Sequence, residues 1–131
     1  MNAADSLPEP IDAPAGRDRV VETYLGAIVA HDWDLVRSLV SDEVVRLGPY
    51  ADNYRGRDQY VSYLAGVMPR LEDYAMDLTR VTYVDEGHRA FAELTESVTV
   101  KGAPTVTAEV LIIDLDETQQ ISRIEIYIRQ A

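Results

Sequence analysis

The chain has 131 residues and a formal net charge of −11. This length suits one domain with a real core, and the negative charge argues against nucleic acid or an anionic membrane surface as the main partner, because both require a basic face. Since there is no cysteine, disulfides and thiolate metal sites are excluded.

The N-terminal segment is rich in proline and small residues, and residues 1–15 are predicted to be a disordered leader before a single domain over residues 16–131. The leader lacks the basic region and hydrophobic core of a signal peptide. No apolar run reaches the roughly 18 residues needed to span a bilayer. We therefore expect no membrane partner and, as the default, a cytoplasmic location.

Three helices are predicted in the first half of the domain. Apolar residues spaced by three and four predict a helix from Arg17 to about Ala30. Asp32 suits the N-cap of a short second helix over residues 33–40. The third helix is expected to begin at Arg57 or Asp58 and to end near Leu71, after a polar loop over residues 51–56.

Strands dominate the second half, where the apolar period changes from 3.6 to 2. A short early strand over residues 44–47 is followed by a predicted antiparallel meander over residues 76–84, 89–100, 105–115 and 121–129. Helices that precede hairpins indicate an α+β fold in which the helices cover one face of a curved sheet.

The stretch ESVTVKGAPTVTAE, residues 96–109, predicts a tight hairpin with Gly102 and Ala103 at its centre. In that register Glu96 lies directly opposite Glu109. The same face carries Leu94 and Leu111, so the two glutamates are predicted to lie on an otherwise apolar, inward wall. Like charges directly opposite each other destabilise a sheet, and the pair therefore requires an explanation.

A functional explanation is that two carboxylates in a poorly solvated pocket cannot both ionise cheaply, so that one holds a proton as an acid while the other acts as a base. This combination suits proton transfer beside a carbonyl, water addition to an epoxide, or a cyclisation. The alternatives are that a basic side chain neutralises one glutamate, or that a different turn register leaves one of them at a solvated rim.

Arg46 has two possible orientations in the first strand. Facing inward, it would be a counterion to the glutamates or a clamp for an anionic substrate; with Val45 and Leu47 inward instead, it would lie on the surface.

The chain also has eight tyrosines and one phenylalanine. Hydroxyls of Tyr24, Tyr50, Tyr60 and Tyr63 are candidates to position a ring-containing ligand, although buried tyrosines often only pack. The two histidines, His31 and His88, lack partners at ligand spacing, so no metal site is expected.

The order of elements and several short motifs resemble the SnoaL-like and ketosteroid-isomerase-like members of the nuclear-transport-factor-type superfamily. The features that carry the resemblance are Tyr24, the run from His31 to Asp34, SDEVV at 41–45, GP at 48–49 and YRGRD at 54–58. The resemblance covers residues 17–129. It implies a cone-shaped fold in which three N-terminal helices pack in a strongly bent, mainly antiparallel sheet with an internal pocket.

Matching the catalytic positions of two such enzyme groups to this chain gives a mixed result. In ketosteroid isomerases a tyrosine of the first helix helps to form the oxyanion hole, and Tyr24 matches it, but the two aspartates correspond to Gly48 and Leu111. The Arg-x-Asp and second aspartate of limonene epoxide hydrolases correspond to Leu94, Glu96 and Ile126. The resemblance therefore implies pocket positions for these residues and argues against either named reaction. It leaves open the isomerases, cyclases, dehydratases and binding modules that share the scaffold.

The sequence leads to two main functional hypotheses. The first is a cofactor-independent acid/base enzyme (isomerase, cyclase or epoxide-hydrolase type) acting on a small, largely apolar organic molecule. In it Glu96, Glu109 and Tyr24 are catalytic, and Arg46, Tyr50, Tyr63, Leu94, Leu111 and Ile126 bind substrate. The second is a non-catalytic small-molecule-binding or dimerisation module. A homodimer is expected in either case, because Val106, Val110 and Ile112 make the other face of the hairpin too apolar to be purely solvated.

Overall fold

A computed structural model describes residues 19–129 as three α-helices and one six-stranded sheet. The helices are α1 (Val20–Val29), α2 (Trp33–Leu39) and α3 (Arg57–Val67). The strands are β1 (Val40–Leu47), β2 (Asn53–Arg55), β3 (Glu72–Val84), β4 (Arg89–Val100), β5 (Ala103–Leu115) and β6 (Ile121–Ile128). The predicted α+β class is confirmed. The predicted leader over residues 1–15 lies outside the described residues.

The strands are ordered β2-β1-β6-β5-β4-β3 across the sheet. Strands β3 to β6 form the predicted antiparallel meander, whereas β1 pairs in parallel with β6. Because β1 joins the last strand, the strand that carries Arg46 is next to the strand that carries Ile126. This pairing places a strand from the N-terminal half of the chain beside a strand from the C-terminal half.

Several boundaries differ from the sequence-based prediction. Strand β1 begins at Val40, directly after α2, and the predicted polar loop contains the short strand β2. Helix α3 ends at Val67, and a single 3₁₀ turn over Met68–Arg70 follows. Pro69 explains this change, because it lacks the N–H that would continue the α-helical hydrogen bonds. The cap of α2 is confirmed, since the Asp32 side chain accepts a hydrogen bond from the backbone N–H of Leu35.

The predicted turn of the β4–β5 hairpin is wrong by one position. Val100 pairs with Ala103, so the two loop residues are Lys101 and Gly102. Both have positive φ, 52° and 79°, as a type I′ turn requires, and this turn matches the right-handed twist of the flanking strands. The register therefore shifts by two residues. Because a two-residue shift preserves the side-chain alternation, the predicted inward face is unchanged.

The core joins one face of the helices to the inward face of the sheet. Buried residues of the helices include Val21, Tyr24, Leu25 and Ile28 of α1 with Val36 of α2, and those of the sheet include Val44, Ala90, Ala92, Leu94, Leu111, Ile113 and Ile124.

The first turn of α1 has no side-chain N-cap from its own segment. Instead, the Tyr83 hydroxyl of β3 accepts the Val21 N–H at 3.1 Å and donates to the Glu22 carboxylate at 2.6 Å. Helix α1 is thus joined to the sheet by a polar contact as well as by packing.

No helix within residues 19–129 is both long enough and apolar enough to cross a bilayer.

Candidate active site

A cavity of about 340 Å³ lies between α1, α3 and the inward face of the sheet. Its wall is mainly apolar, with a few polar groups placed among the hydrophobic side chains. Every residue predicted from the sequence to serve the site contributes to this wall: Tyr24, Arg46, Tyr50, Tyr63, Leu94, Glu96, Glu109, Leu111 and Ile126. Tyr50 is 77% exposed, whereas Tyr24 is 1% exposed, so these two side chains represent the solvated and the buried parts of the wall.

Glu96 and Glu109 share the cavity, but they are not directly opposite each other as predicted. Glu96 pairs with Thr107, and Glu109 pairs with Leu94. The two glutamates are therefore diagonal neighbours on one face, a separation that long side chains can bridge. The two carboxyl groups are close enough for Glu96 to raise the pKa of Glu109, and the Tyr74 hydroxyl donates a hydrogen bond to Glu96.

The shared pocket strongly perturbs Glu109. Burial, the hydrogen bond to Glu96 and the negative charge of Glu96 raise the pKa of Glu109 to about 9, and Arg46 opposes the shift only weakly. Desolvation and a like charge both disfavour the ionised carboxylate. At neutral pH the pair therefore holds one proton between its two carboxyl groups, and the raised pKa of Glu109 favours that proton on Glu109.

A pair of tyrosines lines the helical side of the cavity. The hydroxyl groups of Tyr24 (α1) and Tyr60 (α3) are hydrogen-bonded to each other, and both side chains are buried. Burial and the neighbouring phenol raise the pKa of Tyr24 well above its ordinary value, and burial raises the pKa of Tyr60 to about 12. Both phenols are therefore neutral hydrogen-bond donors at neutral pH.

Arg46 faces the cavity, which decides between its two predicted orientations. Arg46 is only 9% exposed. Its Nη1 donates one hydrogen bond to the Asp52 carboxylate at 2.8 Å and another to the Asp52 carbonyl at 2.9 Å. The guanidinium carbon lies 5.1 Å from the ring centre of Tyr63 and 5.9 Å from that of Tyr54, within the range of a cation–π interaction. Within residues 19–129, Nε is buried with no hydrogen-bond partner.

The apolar neighbours of Arg46 in the sequence obscured this orientation. Val44 and Arg46 point inward, while Val45 and Leu47 are only partly buried on the other side of the strand. A strand whose two faces are both partly covered does not show which parity is inward, so sequence reasoning could not decide between the orientations.

Two side chains at the cavity were not identified from the sequence. Tyr74 has the same parity as Met76 and Leu78 on β3, and it was missed because the predicted strand began four residues too late. Asp52 lies in the loop between β1 and β2. No periodicity marks a loop residue, so its contact with Arg46 is visible only in the folded chain.

Within residues 19–129, no group of three or more carboxylate, imidazole or thiol side chains converges as metal ligands would.

Residues 21–124 match the sequence profile of the SnoaL-like domain. The chain belongs to the SnoaL-like domain family. This confirms the resemblance inferred from Tyr24, the HDWD run and the GP and YRGRD motifs. Comparison with curated proteins finds no match.

Solved structures of other proteins show the same fold. A Mycobacterium tuberculosis LEH-like epoxide hydrolase has a TM-score of 0.73 and 19% identity, over 85% of this chain and 76% of its own. A putative polyketide cyclase from Xanthomonas campestris has a TM-score of 0.69 and 23% identity, over 82% and 86%. A Mycobacterium tuberculosis protein in complex with estradiol-17β-hemisuccinate has a TM-score of 0.70 and 13% identity, over 82% and 89%. At these identities the similarity concerns the fold of this SnoaL-like domain and not its reaction.

Proposed function

We propose that this SnoaL-like domain is a cofactor-independent acid/base enzyme acting on a small, largely apolar organic molecule. The observation that carries the proposal is the carboxyl pair: two glutamates share one mostly apolar cavity, and the pKa of Glu109 rises to about 9. Paired titratable groups whose environments separate their proton affinities are suited to acid and base roles. Proteins of the same fold include one named as an LEH-like epoxide hydrolase and one named as a putative polyketide cyclase, and these names support an enzymatic role.

In the proposed mechanism Glu96 is the base and Glu109 is the acid. For a β,γ-unsaturated carbonyl substrate, Glu96 removes a proton from the carbon between the carbonyl and the double bond, and Glu109 delivers its proton to the γ-carbon of the resulting dienolate. Glu96 then carries the proton and Glu109 the charge. Because the two carboxyl groups are close enough to act on each other's proton, one proton transfer between them, direct or through a water molecule, restores the starting state.

Tyr24 is proposed to stabilise the oxygen on which negative charge develops. Its hydroxyl is paired with Tyr60, so one of the two phenols can donate outward while accepting from the other. A preorganised donor in a buried site stabilises an oxyanion more than water does. Tyr24 and Glu96 line the same cavity, and this shared position supports the pairing of a base with an oxyanion donor.

The base role can be tested with nitrobenzisoxazole, a flat apolar carbon acid that needs no knowledge of the natural substrate. A base takes its carbon-bound proton, the N–O bond breaks, and a coloured cyano-nitrophenolate forms. We expect the wild type to exceed Glu96→Gln by about 100-fold or more in kcat/KM, as is typical of general-base catalysis. Glu109→Gln should retain most of the rate, because this reaction requires no acid and glutamine can still donate to Glu96.

Glu93→Gln is the matched control for this experiment. Glu93 lies on the same strand as Glu96 but on the opposite face, where it is ion-paired with Arg80 at 2.7 Å. Its replacement should leave the rate unchanged. A wild-type rate equal to that of Glu96→Gln, or an equal loss in Glu93→Gln, would contradict the assignment of Glu96 as the base.

We also propose that the domain forms a homodimer through the outer face of the sheet. Val106, Val110 and Tyr127 are 69%, 37% and 52% exposed on neighbouring strands, and clustered apolar side chains on a sheet favour association. Light scattering at micromolar concentration should give the mass of two chains, and a Val106→Lys, Val110→Lys variant should give the mass of one. A wild type that scatters as a single chain would contradict this proposal.

The cytoplasmic location and the independence from cofactors and nucleic acid stay predictions from the sequence.

A further inference from the structure

A small number of charged side chains determines the charge balance inside the cavity. Among the described residues that line it, Arg46 is the only one with a cationic side chain, while Asp52, Glu96 and Glu109 carry carboxyl groups. Arg46 Nη1 binds the Asp52 carboxylate at 2.8 Å, and the two side chains are only 11% and 30% exposed. The charge of Arg46 is thus already paired within the protein.

The position of Asp52 depends on the glycine at position 48. A Cβ atom at position 48 would lie 2.2 Å from Asp52 Oδ1 and 2.6 Å from Arg46 Nη1, distances that no side chain can adopt without displacing the ion pair. Asp52 Oδ1 also accepts the backbone N–H of Tyr50 at 3.0 Å. The loop between β1 and β2 therefore folds back so that a carboxylate occupies the space that a side chain at position 48 would take.

The ion pair is stable at neutral pH. Burial would raise the pKa of Asp52, but the hydrogen bonds from Arg46 and from the Tyr50 N–H outweigh it and hold the pKa below its ordinary value. For Arg46, burial would lower the pKa of the guanidinium, but the hydrogen bond that it donates to Asp52 and the neighbouring phenols and carboxylate together outweigh burial and raise the pKa. Both groups stay ionised and cancel each other, and Glu96 provides the remaining negative charge of the site.

We propose that Asp52, seated in the space left by Gly48, is a specificity-determining residue that neutralises Arg46 and makes the cavity select uncharged ligands over carboxylates. A ligand carboxylate would meet the negative charges of Asp52 and Glu96 and a guanidinium whose positive charge Asp52 already balances, and like-charge contacts in a desolvated site strongly disfavour binding. A neutral molecule avoids this repulsion and still has the phenols and the Glu109 acid as polar partners. The inference rests on the proposed function only in placing the ligand in this cavity.

The test uses three unreactive probes of one shape: naphthalene-2-carboxamide, 2-naphthoate and 2-naphthylmethylammonium. Their dissociation constants for the intact protein are measured by titration calorimetry at neutral pH. The wild type should bind the carboxamide more tightly than the naphthoate by about tenfold or more. In Asp52→Asn, where Arg46 loses its counterion, the naphthoate should gain about tenfold while the carboxamide changes by less than about threefold.

Asp42→Asn is the matched control, because it removes the same formal charge from an exposed aspartate that pairs with Arg57 at 2.6 Å outside the cavity. It should not alter the preference among the probes. Gly48→Ala provides a second perturbation of the same ion pair, since the added Cβ must displace Asp52 from Arg46. It too should improve naphthoate binding, and thermal melts confirm that each variant is folded.

The outcomes separate this inference from the acid/base proposal. A wild type that prefers naphthoate, an Asp52→Asn variant that gains equally for all three probes, or an Asp42→Asn variant that gains as much would each overturn the role of Asp52. Because the acidic side chains outnumber Arg46 in this cavity, the ammonium probe should also bind, and Asp52→Asn should weaken its binding. Ammonium binding that is unchanged in Asp52→Asn, or binding of none of the probes, would contradict the inference. Because no probe reacts, none of these results depends on whether Glu96 and Glu109 catalyse a reaction.

Discussion

Replacing Glu109 with glutamine should stabilise the protein increasingly as the pH rises. The folded state raises the pKa of this carboxyl from 4.5 to about 9. A group whose pKa is raised by folding contributes stability that is fully present below the unfolded pKa and is lost as the pH rises through the folded pKa. The wild type therefore loses stability between about pH 4.5 and 9, whereas glutamine does not titrate and avoids the loss.

The size of the effect follows from the shift. A shift from 4.5 to about 9 corresponds to an upper limit of about 6 kcal/mol at about 1.36 kcal/mol per pH unit. The limit at pH 7 is about 3 kcal/mol, because about 2.5 pH units separate pH 7 from the unfolded pKa. Glu109 is only partly buried in a cavity that opens to solvent, so solvent screening lowers both limits, and we expect at least about 1 kcal/mol at pH 7. The melting temperature of Glu109→Gln should then exceed that of the wild type by about 3–5 °C at pH 7.

The assay is a series of thermal melts from pH 5 to pH 9 on the wild type, Glu109→Gln and the control Glu93→Gln. At pH 5 the wild type and Glu109→Gln should melt at nearly the same temperature, because Glu109 is protonated in the folded wild type. Their difference should grow steadily with pH. Glu93 is partly exposed, and the hydrogen bond from Arg80 lowers its pKa, so this residue is ionised throughout the range and its replacement should add no slope.

Two results would refute this reasoning. Melting curves of the wild type and Glu109→Gln that stay parallel from pH 5 to pH 9 would show that Glu109 titrates as it does in the unfolded chain. A Glu109→Gln variant that melts lower than the wild type at pH 8 would show that the ionised carboxylate stabilises the fold, as a neutralised structural pair would.

Two further predictions concern the scaffold. Tyr83→Phe removes the hydroxyl that accepts the Val21 N–H and donates to Glu22, and it should lower the free energy of unfolding by about 1–2 kcal/mol in urea titrations; an unchanged midpoint would show that water replaces the hydroxyl at the start of α1. Lys101→Asn places asparagine at a loop position with φ of 52° ahead of Gly102, and because Asn-Gly is preferred in type I′ turns it should raise the free energy of unfolding by about 0.5 kcal/mol. A destabilised Lys101→Asn variant would argue against this turn and its register.

Local patterns in the sequence were enough to predict the fold class and the wall of the cavity. The change of apolar period from 3.6 to 2 indicated helices followed by a meander, and alternation along the β4–β5 hairpin placed Leu94, Glu96, Glu109 and Leu111 on one face. That assignment was correct although the predicted turn was wrong, because the register error was two residues and side chains alternate with a period of two. Periodicity is a property of neighbouring residues, so it can be read without knowledge of the tertiary structure.

Contacts between distant segments could be decided only by the folded chain. Whether Arg46 faced the cavity depended on the parallel pairing of β1 with β6, and its partner Asp52 comes from a loop that no periodic signal marks. The hydrogen bond from Tyr74 to Glu96 depends on how β3 pairs with β4 across two irregularities in register. Sequence alone identified the carboxyl pair, because both glutamates lie on one hairpin, but the charges and donors around that pair come from other elements. Those partners are brought together by packing, which acts between residues that have no pattern in common along the chain.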